Sequence, residues 1–117
     1  MSQGREGALK LDGPRFVVRS DRMDGGEDIR VAGEMDLSGI GLVDREVEPA
    51  EASDATRIVL DLGQLDFMDA SGIRLLLHLN ARSASNGRRL RITRAGAPQV
   101  QRVLELTGAR ELLPFED

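Results

Sequence analysis

Residues 60–77, LDLGQLDFMDASGIRLLL, contain the change of period on which the fold turns. Arg57 to Leu62 (RIVLDL) is almost continuously apolar and β-branched at its start, the composition of a central strand covered on at least one face. From Ser71 the apolar residues Ile73, Leu76, Leu77, Ala81 and Ala84 recur at helical spacing, and Gly87 stands where a left-handed cap belongs. Between them, Asp66 to Asp69 reads as a short loop. The chain therefore passes from a buried strand into a helix whose first turn, Ala70, Ser71 and Gly72, is built of small residues with backbone amides available to a partner or an anion.

Working outward, Arg15 to Ser20 (RFVVRS) predicts a strand, and the Gly-rich polar stretch Asp21 to Asp28 predicts a hairpin turn. A returning strand is expected over Asp28 to Glu34. Ile40, Val43 and Val47 then mark a first helix, N-capped by Ser38 or Asp36 and ending or kinking near Pro49. On the other side, Arg89 to Thr93 predicts a strand with Leu90 and Ile92 on one side. It leads to a helix with Pro98 in its first turn, Gly108 at its end, and Val100, Val103, Leu104 and Thr107 on its buried face. Glu111 to Phe115 predicts a short edge strand. Met1 to Pro14 is polar and aperiodic and is expected to be a flexible leader, leaving residues 15–117 as one domain. The fold class is α/β: a mixed sheet, antiparallel at its start and then parallel, covered by about three to four helices.

A chain of 117 residues that is 40% hydrophobic suits a single core. It has no cysteine, so no disulfide framework or thiolate metal site is expected, and a cytoplasmic location is the default. The apolar runs fall short of a membrane span. A formal net charge of -4 argues against direct nucleic-acid binding, and three Phe without Trp or Tyr supply few stacking platforms. His78 is the only histidine. Seven residues of helix place it about 10 Å along the axis from Ser71, too far to activate that hydroxyl. No spacing of metal ligands and no phosphate-cradling loop occurs, so the chain is read as a binding protein with no catalytic residue, cofactor or metal. Leu75 to Leu79 reads as core. Arg88, Arg89, Arg91 and Arg94 read as the solvated face of a strand, the alternative being a contact for an acidic partner.

Taken with Gly33-Glu34-Met35-Asp36 upstream, the segment around Asp69-Ala70-Ser71-Gly72 resembles the STAS family, specifically its anti-sigma factor antagonists, over about Phe16 to Phe115. The resemblance implies that the two loops lie side by side and bind a kinase-like anti-sigma factor, freeing a sigma factor. It also implies phosphorylation at the first serine of an Asp-Ser-Ser-Gly pattern. That position is Ala70 here, which has no hydroxyl to take the phosphate of the usual reset, and Ser71 becomes the candidate phosphoacceptor. The implied partner-binding surface is Glu34, Asp36 and Ser38 on one loop and Phe67, Met68, Asp69, Ala70, Ser71, Gly72, Ile73 and Arg74 on the other, with Phe67 and Met68 as exposed apolar anchors. A monomer or weak homodimer is expected. The alternative is a STAS-like subunit of an ABC-type transporter or signalling scaffold, in which the same surface docks permanently.

Overall fold

The computed structural model describes residues 5–10, 14–93 and 96–116. It forms a six-stranded mixed sheet, with the strands side by side in chain order: β1 (Arg5–Lys10), β2 (Pro14–Met23), β3 (Gly26–Met35), β4 (Arg57–Met68), β5 (Leu90–Thr93) and β6 (Phe115–Glu116). β1, β2 and β3 pair antiparallel, and β3 through β6 pair parallel. The parallel steps are bridged by α1 (Ile40–Ala52), α2 (Ala70–Ala84), and the pair α3 (Pro98–Leu106) and α4 (Ala109–Leu112).

The β2–β3 hairpin closes on Asp24 and Gly25, both at positive φ (35° and 83°). This is the two-residue turn whose twist matches its strands. Both strands consequently run further into the turn than their apolar residues indicate. Arg5–Lys10 falls within the expected leader yet pairs with β2. Strand addition of this kind uses backbone hydrogen bonds and leaves no apolar period to read. The rest of that segment, residues 1–4 and 11–13, lies outside the described residues.

α1 does not stop at Pro49. It continues to Ala52, and the Arg89 guanidinium satisfies the carbonyls that follow, donating to Glu51, Ser53 and Ala55 at 2.6 to 3.0 Å. Arg89 is thus a half-buried clasp and not part of a solvated face; Arg94 lies outside the described residues. Its N-cap is Gly39, where a Cβ would meet the Phe16 ring at 2.7 Å, and not Ser38 or Asp36. At the other end of the chain, Glu111 and Leu112 close the turn of α4, so the edge strand shrinks to Phe115–Glu116. Thr107, expected in the core, is the exposed C-cap of α3 and donates its hydroxyl to the Val103 carbonyl.

The helices cover one face of the sheet. Val43 and Val47 of α1, Ile73, Leu76 and Leu79 of α2, and Val100 and Leu104 of α3 bury against Val18, Ile29, Leu60 and Ile92 in one core. The opposite face carries Asp28, Arg30, Asp61 and Arg91. Arg82 joins the two longest helices, reaching Glu51 at 2.7 Å and Asp44 at 2.9 Å. No helix among the described residues is long and apolar enough to cross a membrane.

Candidate functional site

β4 is three times as long as β5, twelve residues against four, and its second half decides the site. Its register against β3 shifts twice: Arg30 and Ala32 face Asp61 and Gln64, then Gly33 and Glu34 face Leu65 and Phe67. Each shift admits one extra β4 residue, a bulge that rotates the following side chains. Buried positions therefore fall every third residue, at Leu62, Leu65 and Met68, instead of every second. Gly33, at φ 98°, sits at the second shift in a conformation that glycine adopts without strain.

The ladder that β5 leaves unmade beside this half of β4 is completed by side chains. Thr93 Oγ1 accepts the Leu62 amide at 3.0 Å and donates to Asp61 Oδ1, which also accepts the Gly63 amide. Further along, the Gln99 carboxamide binds both backbone groups of Met68, accepting from its N–H at 3.0 Å and donating to its C=O at 3.1 Å. Gln99 thus takes the place of a strand at the point where β4 enters α2.

Glu34 pairs with Phe67, Met35 with Met68, and the Asp69 amide reaches the Met35 carbonyl at 3.4 Å. The ends of β3 and β4, and the loops that leave them, therefore lie side by side. Each loop holds the same device. Asp36 Oδ1 accepts the Ser38 amide at 3.0 Å and its hydroxyl at 2.7 Å, while Asp69 Oδ1 accepts the Ser71 amide at 2.9 Å and its hydroxyl at 2.5 Å. These bonds, that from the Ser71 hydroxyl foremost, hold the Asp69 carboxyl below the usual carboxylate range.

Asp69 is the N-cap of α2, and its own carbonyl accepts the amides of Gly72 and Ile73. The first-turn amides of Ser71, Gly72 and Ile73 are thereby occupied, so the expected open anion cradle is absent there. A Cβ on Gly72 would meet Met68 Cγ at 2.6 Å, so glycine lets α2 approach the end of β4.

The surface differs from the expected one in identifiable residues. Met68 is fully buried and is no anchor, because the second bulge turns it inward and Phe67, 38% exposed, outward. Ser71, Gly72 and Ile73 are buried, Ser71 at 8% exposure; Glu34, Ser38, Ala70 and Arg74 are exposed; and Asp36 and Asp69 are intermediate. Leu37, which the sequence did not single out, is 72% exposed between Asp36 and Ser38. A lone leucine in a polar loop carries no period, so only its juxtaposition with the other loop marks it. His78 is exposed, and within the Leu75 to Leu79 cluster Leu75, Leu76 and Leu79 are core. Among the described residues no group of three metal-ligating side chains converges.

The family model described as "Mlab, STAS domain" matches residues 18–114. The fold is similar to the crystal structure of an anti-sigma factor antagonist from Mycobacterium paratuberculosis, with a TM-score of 0.73 and 22% identity, over 90% of this chain and 89% of that one. It is also similar to the anti-sigma factor antagonist SpoIIAA in its unphosphorylated form, with a TM-score of 0.66 and 22% identity, over 86% and 88% of the two chains. No curated protein matches the chain.

Proposed function

The chain belongs to the STAS domain family, and from that premise we propose that it is a regulatory binding module of the anti-sigma factor antagonist kind, whose partner is a kinase-like anti-sigma factor. The observation that carries the reading is the pairing of Glu34 with Phe67 and Met35 with Met68. It brings the two loops into one surface on which Leu37 and Phe67 are exposed. Those two side chains are the apolar anchors, and Glu34, Ser38, Ala70 and Arg74 are the other exposed residues of the two loops. Exposed aromatic and aliphatic side chains are the usual anchors of a protein interface.

Regulation follows from the hydroxyls. Ala70 occupies the exposed position at the start of α2 and has nothing to accept a phosphate, while the Ser71 hydroxyl is buried and donated to Asp69. Both features support constitutive binding, with Ser71 as a capping partner and not as a phosphoacceptor. The same two features favour a second reading, a permanently docked subunit of an ABC-type transporter or signalling scaffold.

The test incubates the purified chain with its co-purifying kinase-like protein and ATP, and follows complex and phosphate by native and tandem mass spectrometry. A stable complex without phosphate is expected. Phosphate on Ser71 with loss of the complex overturns constitutive binding. Co-purification with a membrane ATPase, and with no soluble kinase-like protein, selects the transporter reading.

A further inference from the structure

We propose that the chain associates with a second copy of itself edge to edge, β1 against β1, in an antiparallel register centred on Ala8. This edge lies apart from the paired loops, and the association does not depend on what those loops bind.

β1 and β6 are the two edges of the sheet. β6 has two residues, too few to template another strand, whereas β1 has six and no proline. Among the described residues β1 pairs with β2 alone, with Arg5 opposite Ser20 and Ala8 opposite Val17. An antiparallel strand directs the N–H and C=O groups of alternate residues to either side. Half of those of β1 therefore face away from β2, where a further strand can pair with them.

The sequence of β1, Arg5-Glu6-Gly7-Ala8-Leu9-Lys10, selects both the strand that suits it and the register. With a twofold axis on Ala8, Glu6 of each copy stands opposite Lys10 of the other, and Gly7 opposite Leu9. An axis between Gly7 and Ala8 instead sets Arg5 against Lys10 twice, a like-charge contact, and an axis on Gly7 sets Glu6 against Ala8 and Arg5 against Leu9, with no charge matched. An edge lysine ordinarily guards against an incoming strand. Here it is answered by an antiparallel strand with glutamate four residues before the lysine, which is β1 itself.

Because β1 and β3 are each antiparallel to β2, they run the same way. The axis stands perpendicular to the sheet, so the helices of both copies cover one face of a continuous sheet. The paired loops, at the ends of β3 and β4, then lie at its opposite ends. Both binding surfaces stay free, and the dimer presents two.

Sedimentation velocity of the full chain over about 1 μM to 1 mM, the span of a weak association, is expected to show a monomer-dimer equilibrium. Lys10→Glu should weaken it about tenfold, since two attractive pairs become repulsive. Combining Glu6→Lys with Lys10→Glu restores both pairs and should return the affinity to within about threefold of the parent, which a change that merely loosened β1 would not do. Cysteine, which the chain lacks, reads the register separately. Ala8→Cys should close a disulfide between copies on mild oxidation, and Gly7→Cys, two residues out of step with its own copy, should not. A chain that stays monomeric at the highest concentration, a dimer indifferent to Lys10→Glu, no recovery in the charge exchange, or linkage through Gly7→Cys as fast as through Ala8→Cys overturns the proposal.

Discussion

Gln99 offers the sharpest test of how the site is held. Its carboxamide makes two hydrogen bonds to the backbone of Met68, where β5 has already ended and no strand can substitute. Gln99→Leu keeps the size of the side chain but leaves the Met68 N–H and C=O without these partners. Unmade bonds to groups in a buried setting cost about 1–3 kcal/mol. At about 4 °C per kcal/mol for a domain of this size, a loss of about 2 kcal/mol lowers the melting temperature by about 8 °C. Circular dichroism is the suitable probe, because the chain has neither Trp nor Tyr. Gln99→Glu refines the test. Its carboxylate still accepts the Met68 amide but faces the Met68 carbonyl with no proton to donate. The folded state therefore favours the protonated acid and raises its pKa, so the stability it contributes is present at low pH and lost as the pH rises through the folded value. Gln99→Glu should be strongly destabilised at neutral pH and recover toward the parent near pH 4. A melting temperature for Gln99→Leu within about 2 °C of the parent, or no pH-dependent recovery of Gln99→Glu, would refute the clamp.

Asp69→Ala removes the cap of α2 and should cost about 1 kcal/mol in chemical denaturation at neutral pH. Because the Asp69 carboxyl is held below its ordinary range, its contribution is present above the unfolded pKa and fades as the pH falls through the folded one, so parent and variant should converge in acid. Gly72→Ala places a methyl 2.6 Å from Met68 Cγ and should cost about 1–3 kcal/mol. The cost should shrink when measured in a Met68→Ala background, which removes the γ carbon, and an undiminished cost would mean that the Met68 contact is not its source. Asp28 has its carboxyl raised above the usual range by burial, Asp61 and Asp21 adding to the effect against Arg30. Its ionisation therefore opposes folding at neutral pH, so Asp28→Asn should raise the urea midpoint at pH 7 and lose that advantage as the pH falls through the folded pKa. A lower midpoint at pH 7 would mean that the ion pair with Arg30 outweighs the burial.

The class of fold was legible because alternating and helical periods appear wherever a regular element faces the core. Ile29, Leu60, Ile73, Leu76 and Val100 are buried where their periods placed them, whereas Ala81 and Ala84, read on the same face of α2, are exposed, and Leu75, Leu79 and Ser83 are buried in their stead. What escaped was structure carried by the backbone or by single distant contacts. β1 pairs through main-chain bonds, α1 passes Pro49 with its carbonyl end clasped by Arg89 from β5's approach, and Gln99 replaces a strand from 31 residues away. None of these leaves a mark at the short range over which a pattern is read.

The candidate site shows how one such miss propagates. A strict two-residue period ends at Leu62, and so the segment from Asp66 onward reads as a loop with Phe67 and Met68 both available. Two bulges instead carry β4 to Met68 with every third residue buried. That change of period buries Leu65 in place of Gln64 and Asp66, returns Met68 to the inward and Phe67 to the outward face, and brings Asp69 to the position where it caps α2 and bonds Met35. The bulges are thus what converts a sheet edge into a surface: an uninterrupted alternation could not bury Leu62, Leu65 and Met68 together and still present Phe67 beside Glu34. A deletion of Asp66 tests the step, because it removes the second extra residue and restores the alternation. Alternation from the buried Leu65 keeps Phe67 opposite Glu34 and outward, and Met68 opposite Met35 and inward, so methyl NMR of Met68 should still report a buried side chain. A Met68 methyl that becomes solvent-accessible after the deletion would show that the extra residue, and not the register against β3, sets which side chain faces out.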